Sequence, residues 1–336
     1  MLNDKTANTV QAAAQQRILV LGANGFIGRE IVAALVSSGW AAPLLGVRRA
    51  SPLPGGPEQR TVDATVEDSV LRAAQGASAI VNCVAGSAPT LVESAKAACA
   101  AAARMNPPPR LIHLSTMSVY GTAVGLIDEE TPLKGDLGPY SEAKVTAERV
   151  AAAYPRCVIV RPGCVFGPRS EQWSIRIARL LQARRLGDMG AAGDGFCNLV
   201  HVEDVATAVL EALRRSGADG RAYNLSTPQP PTWNQFLVRF GIALGAVPVP
   251  RIGRLRLRLE TKMLAPPLKV AEIIARAARI DTRRLPAPLP SSLLRLMGQD
   301  IRLDTRRAET ELGMRWRDLD TSLAGTARWF LNSEIA

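Results

Sequence analysis

The sequence predicts an α/β fold, a doubly wound parallel sheet with a smaller C-terminal lobe. Three observations predict it. Short apolar runs alternate with segments of helical periodicity from residue 17 to about 226. A glycine-rich turn joins the first apolar run to the first helix. Beyond residue 226 the alternation stops and Pro, Arg and Leu become prominent. Strands alternating with helices place a parallel sheet between two helical layers.

In chain order, residues 17–21 (RILVL) read as a buried strand ending at Gly22. Ile27, Ile31, Val32, Leu35 and Val36 recur at helical spacing until Ser37-Ser38-Gly39 stops the helix. Pro43–Val47 is a second strand, and SPLPGGP after it is a loop. Thr61–Val62 leads to Asp63, and a helix follows at about 67–75. Ala77–Val84 is a strand, Thr90–Arg104 an Ala-rich helix, and Pro107–Pro109 breaks the chain before the strand Leu111–Ser115. The rhythm continues through helix 140–153, strand Cys157–Arg161, helix 203–214 and strand Ala222–Leu225, with no internal repeat. Residues 1–16 read as a flexible tail. Residues 17–168, continued by 198–226, form the first domain; 169–197 and 227–336 form the smaller lobe.

Composition sets limits on function. With 336 residues, 47% hydrophobic and 21% charged, the chain can bury a core. No apolar run approaches the roughly 18 residues of a membrane span, and the polar first sixteen residues lack a secretory core. Five scattered cysteines without a CxxC pair exclude a disulfide scaffold and a zinc ribbon and suit a reducing cytoplasm. His113 and His201 are the only histidines, too few for a His-based metal site. The net charge of +11 invites a nucleic-acid reading, but +7 of it lies in residues 251–300, with eleven basic and four acidic residues. The nearly balanced remainder argues against a nucleic-acid groove.

Gly22-Ala23-Asn24-Gly25-Phe26-Ile27-Gly28 follows a strand and opens a helix. The first glycine permits the tight turn, the second the approach of a pyrophosphate, and the third close helix–strand packing. In that context the triplet predicts a dinucleotide site in a Rossmann domain. An NAD site commonly ends its second strand with Asp or Glu; Val47-Arg48-Arg49 stands there instead. A guanidinium pairs with a 2′-phosphate, so NADP is the expected cofactor and NAD the alternative. Tyr140 and Lys144 in PYSEAK share a helical face at i,i+4, where an ammonium would lower the phenol's pKa. Thr116, at a strand's carboxyl end, offers a hydroxyl to a substrate oxygen.

The order GANGFIG, LSTMSVYG, YSEAK, RPGCVFGP and NLVHVEDVA resembles the extended short-chain dehydrogenase/reductase superfamily, the NAD-dependent epimerase/dehydratase family. The likeness spans about residues 17–226 and resumes at Asp304–Phe330. It implies that Thr116, Tyr140 and Lys144 are catalytic, with Tyr140 transferring a proton and Lys144 also binding the nicotinamide ribose. It implies a cofactor site of Gly22, Asn24, Gly25, Phe26, Ile27, Gly28, Arg48, Asp63, Tyr140, Lys144 and Pro162. Asp63 matches an adenine-contacting aspartate, and Arg48 a 2′-phosphate arginine. Met117-Ser118 replace the Asp-Glu that follows the catalytic threonine in 4,6-dehydratases. Cys164 and Cys197 stand where nucleotide-sugar epimerases commonly carry Asn and Arg. CNLVHVEDVA is similar to the branch holding 3β-hydroxysteroid dehydrogenases and dihydroflavonol reductases.

The remaining features have plainer readings. His113 is a core or site-supporting histidine and His201 a structural one. Glu203-Asp204 reads as the N-cap of the next helix, and the cysteines read as small hydrophobes. Arg254-Leu-Arg-Leu-Arg-Leu259 alternates with period two and reads as a charged strand edge; its functional alternative is a basic, apolar surface attracting anionic lipid. The expected enzyme transfers a hydride between NADP(H) and a secondary alcohol or ketone of a largely apolar small molecule. The rivals are a nucleotide-sugar epimerase using NAD and a non-catalytic NADP-binding regulator; Thr116, Tyr140 and Lys144 argue against the latter. Expected partners are the small-molecule substrate, a second copy in a homodimer and an anionic membrane surface through 251–284, with no nucleic acid and no bound metal.

Overall fold

Strands and helices largely alternate through the first two thirds of the chain, with three places where two strands follow each other without an α-helix between, and the computed structural model describes residues 15–50, 55–278 and 289–335. Most of the expected tail, part of the SPLPGGP loop and residues 279–284 of the basic segment lie outside the described residues.

The elements run β1 (Gln16–Leu21), α1 (Phe26–Ser38), β2 (Ala41–Val47), β3 (Gln59–Thr61), α2 (Glu67–Ala73), β4 (Ala79–Asn82), α3 (Ala88–Ala103), β5 (Arg110–Leu114), β6 (Gly125–Ile127) and α4 (Pro139–Ala152). They continue through β7 (Cys157–Pro162), β8 (Cys164–Phe166), α5 (Arg176–Gln182), β9 (Leu199–His201), α6 (Val202–Arg214), β10 (Ala222–Leu225) and α7 (Trp233–Ala243). The chain closes with α8 (Arg254–Leu259), α9 (Ala265–Ala277), α10 (Ser291–Met297), β11 (Ile301–Leu303), α11 (Arg306–Glu311) and α12 (Leu319–Ile335).

Seven strands form one parallel sheet in the order β10-β7-β5-β4-β1-β2-β3. The order reverses between β1 and β4, which opens a crevice at the carboxyl ends of those strands. Successive strand residues point to opposite faces. Ile18 and Val20 therefore join the core beneath α1 and α6, while Leu19 and Leu21 join the one beneath α2, α3 and α4. Local signals set the helix ends. α1 stops at Gly39, left-handed at φ +73° with its N–H on the Val36 carbonyl, and α7 starts with a capping box of Thr232 and Gln235.

A further core gathers α5, α7, α10 and α12 around Trp233, Phe236, Phe240 and Phe330. The chain then returns to the sheet side: β11 pairs in parallel with β6, and Ala308 and Leu312 pack into the core beneath α1 and α6. Asn198 secures that return, its Nδ2 donating to the Ile301 carbonyl at 2.8 Å and its Oδ1 accepting from the Leu303 N–H at 2.9 Å.

Two local readings are corrected. RLRLRL is the helix α8, continued through a π-helical turn at Glu260–Leu264 into α9. Its period-two pattern does not make a strand because Leu257 alone turns into the core, while Leu255 and Leu259 are exposed. The N-cap of α6 is His201, whose Nδ1 accepts from the Glu203 N–H; Glu203 and Asp204 sit in the first turn and pair with Arg317.

Candidate active site

The carboxyl edge of the sheet collects the predicted residues. After β1, Gly22 takes φ +81°, and a Cβ there would lie 2.9 Å from the Cys83 carbonyl oxygen, at the end of β4. The Gly25 N–H closes the turn onto the Gly22 carbonyl at 2.8 Å. A Cβ on Gly28 would stand 2.2 Å from that same oxygen, so only glycine lets α1 sit against the loop. No side chain caps α1, whose N-cap is Gly25. Its first-turn N–H groups and the helix dipole suit an anion. Asn24 is exposed at the loop tip, and Phe26 and Ile27 pack half-buried against the core.

Arg48 follows β2 and Asp63 follows β3. The Val62 N–H bonds the Val47 carbonyl at 2.9 Å, which holds the two strand ends side by side. Arg48 is exposed. Asp63 accepts from the Thr65 N–H at 3.0 Å and the Thr65 hydroxyl at 2.7 Å. Those bonds, with a smaller pull from Arg48, hold its carboxyl below the usual range. Pro162 ends β7 at the same edge.

Thr116 follows β5 and caps the short turn Met117–Tyr120, accepting from the Ser118 N–H at 3.3 Å. α4 begins at Pro139 after Gly138, and Ser141 ties it to that turn by donating to the Ser118 carbonyl at 2.6 Å. This brings the start of α4, with Tyr140, to the Thr116 turn, and the Thr116 hydroxyl is near enough to act on the Tyr140 phenol. Lys144, one turn along α4, is buried and donates from Nζ to the Leu114 carbonyl at 2.8 Å.

The electrostatics correct one expectation. Desolvation at its hydroxyl end raises the Tyr140 phenol above its ordinary pKa although the residue as a whole is exposed, Thr116 opposes the shift, and Lys144 is not among its causes. The i,i+4 spacing gives the pair a shared helical face, but Lys144 turns inward to the end of β5 while Tyr140 is 53% exposed. Burial also pulls Lys144 down to about 8, against the attraction of Glu148 and Cys83.

Behind Lys144 stand His113, read from the sequence as a core or site-supporting histidine, the small cysteine Cys83, and Glu148, which sequence reasoning missed. His113 is buried with neither ring nitrogen hydrogen-bonded among the described residues, and burial, then Lys144, lowers its pKa to about 3. Cys83 donates to the Leu21 carbonyl, and burial pushes its thiol up to about 12. Glu148, one further turn along α4, is buried against Arg161 and accepts from the Ser115 hydroxyl. Its i+4 spacing from Lys144 was the available signal. Cys164 and Cys197 are both buried, and burial, with a smaller effect of Cys164, raises the Cys197 thiol well above its ordinary pKa. Among the described residues no cluster of His, Cys, Asp and Glu could hold a metal ion.

Comparison with known proteins agrees with this architecture. Human dTDP-D-glucose 4,6-dehydratase is 30% identical over 125 residues, 35% of this chain and 35% of that protein. The chain therefore spans about a third of the length of the curated relatives it matches. Among solved structures, Thermotoga maritima UDP-glucose 4-epimerase with UDP-glucose superimposes with a TM-score of 0.71 at 18% identity, covering 95% of this chain and 100% of that one. The Bacillus anthracis dTDP-glucose 4,6-dehydratase in complex with NAD gives 0.70 at 18% identity, covering 95% and 98%. A human epimerase family protein, SDR39U1, with NADPH gives 0.68 at 20%, covering 93% and 99%. At these identities the likeness to solved structures establishes the fold. The model of the NAD dependent epimerase/dehydratase family matches residues 18–226, well over half of the chain, and contains the glycine loop and Thr116, Tyr140 and Lys144. The chain belongs to the NAD dependent epimerase/dehydratase family.

Proposed function

We propose that this chain is an oxidoreductase that moves a hydride between NADP(H) and a secondary alcohol or ketone of a largely apolar small molecule. The observation that carries the reading is the gathering of Thr116, Tyr140 and buried Lys144 at the carboxyl edge of the sheet, where Ser141 ties the start of α4 to the Thr116 turn. The glycine loop fits a dinucleotide, since a Cβ at Gly28 would fill the turn and no side chain occupies the α1 N-terminus. When bound, the cofactor supplies or accepts the hydride. Gly22 to Gly28 would hold its pyrophosphate, Arg48 its 2′-phosphate, Asp63 its adenine side and Lys144 its nicotinamide ribose, with Pro162 at the same edge.

In the reductive direction Tyr140 gives its phenol proton to the substrate oxygen, and Thr116 orients that oxygen through its hydroxyl. A tyrosine phenol is protonated at neutral pH and can donate.

The substrate class follows from Cys164 and Cys197. Two buried thiols offer no amide or guanidinium to a diphosphate. A second reading, epimerisation of a nucleotide sugar with NAD, draws support from the likeness to the UDP-glucose-bound epimerase. Met117-Ser118 after Thr116 weigh against a 4,6-dehydration. Thermal-shift measurements with NADP present would compare nucleotide sugars with steroid, terpenoid and flavonoid-like ketones. Stabilisation grows as RT ln(1 + [L]/Kd), so the tight class stands out. The proposal expects it among the apolar ketones; a response to a UDP- or dTDP-sugar alone would establish the epimerase reading instead.

A further inference from the structure

We propose that the outer face of the helical run 254–274 docks on an anionic membrane surface. The inner face of that run is anchored. Leu257, Ala265 and Ala275 are buried, and buried Glu260 receives Arg185 from beyond the end of α5 at 2.5 Å and 3.0 Å. The outer face is apolar where a surface helix is ordinarily polar. Leu255 is 76% exposed and Met263 66%, and Leu259, Leu264, Val270, Ile273 and Ile274 are exposed with them. Half of the fourteen large exposed hydrophobics among the described residues thus fall within twenty consecutive residues. Scattered exposed hydrophobics are ordinary, but a continuous stripe marks an interaction surface.

The stripe is continuous because of the helix geometry. Leu255, Leu259 and Met263 recur at i,i+4, and Leu264, at the end of the π-helical turn Glu260–Leu264, is exposed next to Met263 in the chain. Val270 and Ile274 repeat the same spacing in α9. Arg254, Arg258 and Lys262 are exposed alongside it.

Charge decides the occupant. Residues 254–274 carry five basic and two acidic residues, a net +3, and one of the acids, Glu260, is buried against Arg185. A second copy meeting this face through a twofold axis would bring equal positive charge against it. A bilayer with anionic headgroups accepts the apolar side chains at the acyl boundary and the basic ones at the phosphates. No helix among the described residues is long and apolar enough to cross a membrane, so the contact lies in the interfacial plane.

The test is co-sedimentation of the full chain, with NADPH present, on phosphatidylcholine vesicles with and without about one-third phosphatidylglycerol. Binding is expected on the anionic vesicles and should weaken with salt. Arg254→Gln/Arg258→Gln should weaken it about twenty-five-fold, at about fivefold for each basic residue. Leu255→Ser/Met263→Ser should weaken it at least about tenfold. Unchanged NADPH affinity in both variants would exclude misfolding. Equal sedimentation on neutral and anionic vesicles, or variants that bind like the wild type, would overturn the proposal. So would a dimer in analytical ultracentrifugation that Leu255→Ser/Met263→Ser disperses, since that assigns the face to self-association.

Discussion

Glu148 on α4 and Arg161 in β7 meet inside the protein, the Glu148 Oε1 accepting from Arg161 Nη2 at 2.6 Å and Nε at 3.0 Å. The other carboxylate oxygen accepts from the Ser115 hydroxyl, next to Thr116. Arg161 Nη1 reaches the Tyr120 hydroxyl at 2.7 Å, which in turn donates to Asn224 at 2.7 Å. One carboxylate therefore fixes the helix that carries Tyr140 to the strand that ends beside Thr116.

Glu148→Ala should destabilise the protein by about 3–5 kcal/mol, because it leaves a buried guanidinium without its counter-charge. Glu148→Gln should cost less, since the amide keeps an acceptor. Urea unfolding at neutral pH measures both; equal stability of wild type and Glu148→Ala would show that the pair contributes nothing.

Tyr140→Phe should lower turnover by about 10²–10⁴-fold while leaving NADPH binding and unfolding midpoint intact, since it deletes a proton donor and little packing. Thr116→Val should reduce turnover with cofactor affinity unchanged. Lys144→Ala should damage both. Reductive turnover of the wild type should decline above about pH 8, where Lys144 loses its charge. Steady-state kinetics and calorimetry separate these outcomes, and a Tyr140→Phe enzyme with near-normal turnover would remove the proton-transfer role.

Arg48→Ala should weaken NADPH binding by about 1.5–3 kcal/mol, one to two decades, through loss of a charge-assisted bond. NADH binding should hardly change. Calorimetry with both cofactors reads the difference directly, and equal losses would take Arg48 out of the 2′-phosphate site.

His113 ties stability to acid. Its pKa falls from an ordinary 6.5 to about 3 in the folded protein, mainly by burial. Between those values the unfolded chain binds a proton that the folded one refuses, so stability falls as pH drops through the window. The loss reaches on the order of 3 kcal/mol near pH 4. His113→Leu removes the titrating group, and its urea midpoint should fall less than that of wild type between pH 7 and pH 4. Parallel losses in the two proteins would assign the acid sensitivity elsewhere.

The sheet was legible in the sequence because strands buried on both faces read as unbroken apolar runs, as RILVL and LIHLS do. The glycine loop was legible because its three glycines answer separate steric demands, and the Cβ positions at Gly22 and Gly28 bear that out. RLRLRL was misread because six residues of alternation fit a strand edge, and the anchor that selects a helix, Arg185, lies 75 residues away. The inward turn of Lys144 was hidden for a similar reason. Helical spacing gives a shared face, but the Leu114 carbonyl that takes its ammonium belongs to a strand.

The pairing of β11 with β6 has a consequence for biosynthesis. The partners Ile301 and Gly125 lie more than half the chain apart, and the Asn198 amide that braces β11 is made between them. As a ribosome releases the chain from its N-terminus, β1 to β5 can associate early. The edge at β6 has no partner until residue 303 has emerged, and the packing of Ala308 and Leu312 comes later still. Completion of the nucleotide-binding half is therefore a late event of synthesis. A truncation before residue 301 would leave unpaired backbone and exposed core within that half.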